Sequence, residues 1–350
     1  MDLSYGKQST CIAELPDDPL CLIYQKLNKV RDQKSFSRTC HRFLDITILC
    51  CKCLDVSSST KLSKSYNLDS IVLGTYLYRF RHFESPSSIS VIDLYHCEIT
   101  DNGLETLTKY CKTLMNVNLV CCSHITNTGI LFLKQNCRLL RVLKISGCDR
   151  VVGVRSQQGF LATLACLQAD SHVLNPSGFL SGGGIEYLSI TYSKNKPFTS
   201  KLGLSAIGSG IAKNLKMLSL FMRSFVTDDC MHSVVTDDCI IKISSGCPLL
   251  QELNLSYCNR IGLRGWESIG LHCQNLERLH VNSCNNLCDR GLLALGNGCK
   301  LLSVLYMTNC PRITSSGKDK FKILRADVEI VEKIGKINFP SWTFTCPVIS

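Results

Sequence analysis

No stretch of 18 apolar residues occurs in this chain of 350, so no segment is long enough to cross a bilayer as a helix. The opening residues, Met1 to Thr10, lack the basic-then-apolar order of a secretory signal. Without export, abundant cysteine reads as reduced thiol rather than disulfide, and the expected compartment is the nucleus, the cytoplasm or both. No run of five Lys or Arg is present, so nucleic acid is disfavoured as a partner. The net charge of +11 reads instead as a basic, solvated outer surface that favours acidic partners. Catalytic signatures are missing as well. There is no GxSxG, HExxH or P-loop, and Ser181-Gly-Gly-Gly184 lacks the Lys-Ser/Thr that a phosphate site needs. Cys50-Cys-Lys-Cys53 offers three thiols, but no second CxxC or paired His stands at zinc spacing. Cys40-His41 are neighbours in sequence, which does not make a nucleophile and base. The chain therefore reads as a non-enzyme with no catalytic residue, cofactor or metal.

What is present is cysteine, 23 of them, and they are periodic. Cys97, Cys122 and Cys148 are followed, after a gap, by Cys258, Cys284 and Cys310, in steps of 25, 26, 26 and 26. A second series, Cys111, Cys137, Cys247, Cys273 and Cys299, runs beside the first at about half a period. A fixed period of this size marks one supersecondary unit stacked many times.

One unit spans Leu276 to Cys299. Its first part, LxxLxLxxC, alternates and predicts a short strand with Leu279 and Val281 pointing inward and Cys284 turning in against loop backbone. Its second part places Leu292 and Leu295 at helical spacing, giving a helix that covers the strand layer. Copies begin near Ile89, Leu114, Leu140, Leu250, Leu276 and Leu302, with degenerate copies near Leu164, Ile185 and Leu215, roughly nine in all. The beat weakens over 151–234. Within that interval Val226-Thr-Asp-Asp-Cys230 recurs as Val235-Thr-Asp-Asp-Cys239, and a bulge is expected there. Ser181 to Gly184 and Ser193 to Ser200 read as loops, either binding insertions or tolerated surface.

Residues 12–46 break the rhythm. Asp17 and Asp18 suit a helix N-terminus, and Leu20, Ile23, Tyr24 and Leu27 then form an amphipathic face. A second helix opens at Asp32, with Phe36, Cys40, Phe43 and Leu44 on one side. Such a short helical segment has little core of its own and must borrow a surface from the solenoid or from a partner. A helical linker over 47–87 leads into repeats at 88–321, and 322–350 forms a tail. There Val328-Glu-Ile330-Val adds a strand, and 338–350 caps the last repeat. The fold class is α/β: a helical N-terminal segment followed by a right-handed solenoid.

The pattern LxxLxLxxC(x)xITDxGL resembles the cysteine-containing class of leucine-rich repeats, and Ile99-Thr-Asp-Asn-Gly103-Leu104 and Ile125-Thr-Asn-Thr-Gly129-Ile130 match it closely. The segment before it resembles an F-box, matched by Leu15, Pro16, Asp17, Asp18, Leu20, Ile23, Leu27, Asp32, Ser35, Phe36, Cys40, Phe43 and Leu44, with Phe43 where a tryptophan is usual. Together they are similar to the F-box/leucine-rich-repeat family, its plant members above all. The likeness extends over nearly the whole chain through Ser181-Gly-Gly-Gly-Ile-Glu186, Gly208-Ser-Gly-Ile-Ala212, Cys247-Pro-Leu-Leu-Gln-Glu252, Gly265-Trp266-Glu267 and Leu287 to Leu295. The nine-residue duplication departs from it. The resemblance implies an F-box that docks on a Skp-type adaptor of a cullin-based (SCF-type) ubiquitin ligase, and repeats that bind a protein substrate for ubiquitination and degradation.

On this reading Leu15, Pro16, Leu20, Ile23 and Phe36 meet the adaptor by helix-in-groove logic, although some must pack internally. The concave face is lined by Tyr95, His96, Asn118, Lys144, Tyr187, Tyr192, Phe221, Met222, Tyr257, Arg278, His280 and Tyr306, a set rich in the residue types that anchor interfaces. Any single one reads equally well as a scattered exposed residue. Two other classes stay open. A repeat scaffold without ubiquitin transfer is one. The other is a receptor with a small molecule or inositol phosphate in the solenoid, for which only Lys144, Arg278 and Arg223 offer charge.

Overall fold

The computed structural model describes residues 12–27, 29–50, 53–55, 89–152, 164–170, 184–191, 207, 212–220 and 235–332. The described residues begin with a 3-10 turn, Ile12–Glu14, and three helices: α1 (Asp17–Lys26), α2 (Val30–Ser37) and α3 (His41–Cys50). Pro16 sets the extended residue before α1, and Asp17 and Asp18 in the first turn with Lys26 in the last align with the helix dipole. The single second helix expected from the sequence is in fact α2 and α3. Ser35 and Thr39 hydroxyls bond back to the carbonyls of Arg31 and Ser35, and the N–H groups of Arg38 and Thr39 turn to carbonyls three residues back, which ends α2. Leu20, Phe43 and Ile46 form the core of this unit, with Phe43 stacked on Phe36 at 4.2 Å. Arg42 of α3 donates to the Leu15 carbonyl and to Asp17, tying the N-terminal turn down.

Among the described residues eleven strands follow in one parallel sheet, ordered as in the chain. They are β1 (Cys53–Asp55), β2 (Val91–Asp93), β3 (Asn116–Asn118), β4 (Val142–Lys144), β5 (Cys166–Asp170), β6 (Tyr187–Thr191), β7 (Met217–Ser219), β8 (Glu252–Asn254), β9 (Arg278–His280), β10 (Val304–Tyr306) and β11 (Glu329–Val331). The first strand corrects the sequence reading. The segment taken as a helical linker carries β1, paired with β2, so the sheet begins two residues after α3. The central strand residues Ile92, Val117, Leu143, Leu167, Leu188, Leu218, Leu253, Leu279, Leu305 and Ile330 are partners in neighbouring strands, at steps of 25, 26, 24, 21, 30, 35, 26, 26 and 25. All but Ile330 are at most 2% exposed. Alternation sends them to one side, and the residues flanking them to the other.

The helices over this layer are α4 (Asp101–Tyr110), α5 (Asn127–Asn136), α6 (Asp237–Gly246), α7 (Leu263–His272), α8 (Asp289–Gly298) and α9 (Ser315–Leu324). Their leucines and isoleucines join the strand residues in one continuous core. Side chains lock each repeat to the next. Asp101 accepts from the N–H groups of Thr126 and Gly129, Asp237 from those of Gly262 and Gly265, and Asp289 from that of Thr314. The aspartate of one helix start thus satisfies orphan donors of the following helix. Gly270 and Gly298 allow α7 and α8 to touch, since a Cβ on Gly298 would lie 2.0 Å from the Gly270 carbonyl oxygen.

Both cysteine series are part of this lock. Cys122, Cys148, Cys258, Cys284 and Cys310 each point a thiol at a carbonyl at the strand exit of the preceding repeat: Leu94, Leu119, Leu220, Leu255 and Val281, at 3.0 to 3.4 Å. The residue before each ladder cysteine is left-handed: His96, Cys121, Gly147, Tyr257, Ser283 and Asn309, with φ between 53 and 77°. That turn lets the strand leave the sheet. Cys111, Cys137, Cys247, Cys273 and Cys299 end the helices α4 to α8. Arg325 takes that place after α9, which runs past the boundary expected at 321. Its guanidinium donates to the carbonyls of Gly296, Cys299, Lys300 and Leu302 and pairs with Asp327, closing the last described repeat. The cap expected at 338–350 lies outside the described residues.

Candidate functional site

Two surfaces concern function. On the N-terminal unit, Leu20 is fully buried against Phe43 and Ile46, so it packs internally and is withdrawn from the adaptor-facing set. Leu15, Ile23 and Phe36 are half-buried at the rim of that core, and Pro16 is exposed. Two apolar residues that the sequence reading left out are open: Ile12 at 51% and Leu22 at 61% exposure. Pro19, Leu22 and Ile23 share one side of α1 by helical spacing and continue the apolar edge of Ile12, Leu15 and Pro16. Leu22 falls off the inward face defined by Leu20 and Tyr24, and a leucine out of phase with an amphipathic face was the signal that marked it.

The second surface is the side of the sheet opposite the helices. Tyr95 and His96 sit together where β2 ends, both exposed, with rings 6.2 Å apart. Asn118 donates to Asp93 across β2 and β3, and Lys144 is half-buried two strands from Asp93. Tyr187 packs against Val142 and Cys166, which are both fully buried on this face. Tyr257 is half-buried at a left-handed turn. Tyr192, Phe221 and Met222 lie outside the described residues, as does Arg223.

Arg278, His280 and Tyr306 converge on β9 and β10. Glu252 of β8, absent from the sequence-based set, organises them: it pairs with His280 at 3.0 Å and with Arg278 at 3.5 Å, and the His280 ring stacks on Tyr306 at 4.1 Å. His280 is 4% exposed, which corrects its assignment as a contact residue: it holds Glu252 and Tyr306 in place. Arg278, with half its side chain exposed, is the reachable charge of the group. Glu252 escaped notice because its first-strand position alternates with polar and apolar residues from repeat to repeat.

Burial pushes the thiols of both series up, to about 12 for Cys122, Cys137, Cys247 and Cys299 and further for Cys258. These are protonated, inert packing groups at neutral pH. Among the described residues no three His, Cys, Asp or Glu side chains gather as a metal site. Among the same residues no helix is long and apolar enough to cross a membrane.

Strand, turn and helix stacked this way define a leucine-rich-repeat solenoid with a three-helix unit before it. A family model described as Leucine Rich repeat matches residues 86–107, 246–270 and 272–296. F-box/LRR-repeat protein 12 of Arabidopsis thaliana is 36% identical over 299 residues, covering 69% of this chain and 73% of that one. This chain belongs to the F-box/LRR-repeat family. Among solved structures, the Rad7 and Elc1 complex in yeast aligns over 91% of this chain and 93% of its own, at 14% identity and a TM-score of 0.38, a superposition too loose to bear on function. The repeats serve protein interaction.

Proposed function

We propose that the chain is the substrate-recognition subunit of an SCF-type ubiquitin ligase, non-catalytic itself, acting in the nucleus, the cytoplasm or both. The F-box docks on a Skp-type adaptor and through it on a cullin. The repeats hold a protein substrate on the concave side for ubiquitination and degradation. One observation carries this reading: the N-terminal helices close a core of their own, separate from the solenoid core, and leave Ile12, Pro16 and Leu22 exposed beside Leu15 at its rim. An apolar helix edge of this kind suits a partner's groove. Arg278, Tyr306, Tyr257, Lys144, Tyr187 and the Tyr95–His96 pair are concave groups with area left to offer a substrate.

The test is co-expression with a Skp-type adaptor. The full chain is expected to retain the adaptor through purification. A Pro16→Ala, Leu22→Arg double variant is expected to lose it with an unchanged circular-dichroism spectrum, whereas Arg278→Glu keeps it and loses substrate. A wild-type chain that retains no adaptor would leave the scaffold reading in its place.

A further inference from the structure

Positive charge gathers on one rim of the solenoid, where the strands leave the sheet. After the ladder cysteine the chain makes a tight turn: the N–H groups of Ile125, Val151, Leu287 and Ile313 bond back to the carbonyls of Cys122, Cys148, Cys284 and Cys310 at 2.9 to 3.3 Å. The apolar residue that closes each turn packs on the core, so the two residues between are thrown outward. The second of them is His124 after β3, Arg150 after β4 and Arg312 after β10. The same spacing between Cys258 and Ile261 puts Arg260 there after β8, and all of these are exposed. Asn286 holds the place after β9, and its amide is spent on the Asn259 carbonyl at 2.6 Å. The helices begin at this same rim. In the first turn of α7 and α8, six residues after the ladder cysteine, stand Arg264 and Arg290, both exposed. Arg260, Arg264, Arg290 and Arg312 therefore line the rim over β8 to β10.

The carboxylates of the fold do not consume this charge. Asp237 accepts from the N–H groups of Gly262 and Gly265, and both oxygens of Asp289 are taken by Thr314. Asp238 of α6 and Glu267 of α7 are exposed. Neither forms an ion pair among the described residues, and nor does Arg264, Arg290 or Arg312. On the opposite rim of the same repeats, Cys247, Cys273 and Cys299 are followed by Pro248-Leu249, Gln274-Asn275 and Lys300-Leu301, with Lys300 as the one charge.

We propose that the arginine rim is a docking surface for an acidic, extended segment of a protein partner, laid along the solenoid beside the concave face. Strands of one sheet lie about 5 Å apart, which sets the backbones of Arg260 and Arg312 about 10 Å apart along the rim. An extended chain rises about 3.3 Å per residue, so carboxylates three residues apart match that interval. The planar guanidinium fork suits a carboxylate, to which it donates two parallel hydrogen bonds. A polypeptide fits better than nucleic acid because Asp238 and Glu267 stand exposed beside the row. A strand with a phosphate at every nucleotide meets both of them, whereas spaced carboxylates pass them by. The surface is separate from the F-box edge, and the inference does not rest on the ligase role. Each exposed pair contributes little alone, so affinity accumulates along the row and falls with salt.

The test is fluorescence-anisotropy titration of the full chain into a labelled peptide with Glu at every third position and Ser between, and into its Gln counterpart. At low salt the Glu peptide is expected to bind at least about tenfold more tightly than the Gln peptide. An Arg290→Glu, Arg312→Glu variant is expected to weaken Glu-peptide binding at least about tenfold with an unchanged urea midpoint, since both side chains are exposed and a glutamate suits the first turn of α8. A Lys300→Glu, Lys320→Glu variant makes the same change in net charge at exposed positions off the rim and is expected to weaken binding less than about twofold. Equal losses in the two variants overturn the inference, because net charge alone then accounts for binding. Equal affinities for the Glu and Gln peptides overturn it as well. So does a single-stranded oligonucleotide that binds more tightly than the Glu peptide and is lost in Arg290→Glu, Arg312→Glu, since the rim is then a nucleic-acid surface.

Discussion

The repeats of β2–β4 and β8–β10 carry a cysteine five residues after the central strand residue, and β5, β6 and β7 are followed there by His172, Ser193 and Arg223. In the regular repeats a left-handed residue and a cysteine follow the strand, the thiols of Cys122, Cys148, Cys258, Cys284 and Cys310 meet the previous repeat, and the strand stops after three residues. β5 and β6 lack the cysteine and run five residues, pairing on through Ala169 with Ile190 and Asp170 with Thr191. At their border the N–H of Gly147 goes to the Asp170 carboxylate, where the equivalent N–H groups of Cys121 and Tyr257 go to the carbonyls of Ser146 and Asn282. The two five-residue strands thus both lack the cysteine, while β7, also without it, keeps three residues, so the cysteine turn accompanies the short strand and is not its sole cause.

Leu279→Ala and Leu188→Ala, one from each region, are each expected to lower stability by about 3 kcal/mol in urea denaturation, since both fully buried leucines belong to the same core. A much smaller loss at Leu188 would mean the middle is a separate, looser unit. Gly298→Ala forces α7 and α8 apart at a backbone contact and is expected to cost about 2 kcal/mol, while Ser245→Ala on the exposed side of α6 costs nothing measurable. Arg325→Ala leaves the terminal carbonyls without their donor and is expected to cost about 2 kcal/mol, read as earlier opening of the last repeat in hydrogen exchange. Cys284→Ala removes one thiol contact and is expected to cost about 1 kcal/mol, with longer-lived fraying between β8 and β9.

Alkaline pH acts on the same contrast. Cys122, Cys137, Cys247 and Cys299 ionise near 12 when folded and near the ordinary 9.0 when unfolded, because burial disfavours the thiolate. Their contribution is whole below the unfolded value and is lost as pH rises through the folded one. The urea midpoint is expected to be insensitive to these groups at about pH 8 and lower at about pH 10, with wild type falling further than a Cys122→Ala, Cys247→Ala variant.

Much of this was legible in the sequence, for physical reasons. Period-two alternation at Leu279 and Val281 and the cysteine beat gave strand, turn and helix, because every regular repeat solves the same packing problem. Residues that act between repeats were not legible. Asp101 and Asp289 read as helix starters, yet they serve the next helix; Arg325 sits where five earlier helices end in cysteine. β1 was hidden because a three-residue strand shows no periodicity. On the N-terminal unit the apolar face was found but its sides were confused: Leu20 turned inward and Leu22 outward.

The central claim is that the F-box edge, and not the solenoid, receives the adaptor. It is tested most directly by calorimetric titration of a purified Skp-type adaptor into the full chain and into Leu22→Arg and Arg278→Glu variants. One-to-one binding that vanishes in Leu22→Arg and persists unchanged in Arg278→Glu is the predicted result. Binding that survives Leu22→Arg but disappears in Arg278→Glu would contradict it.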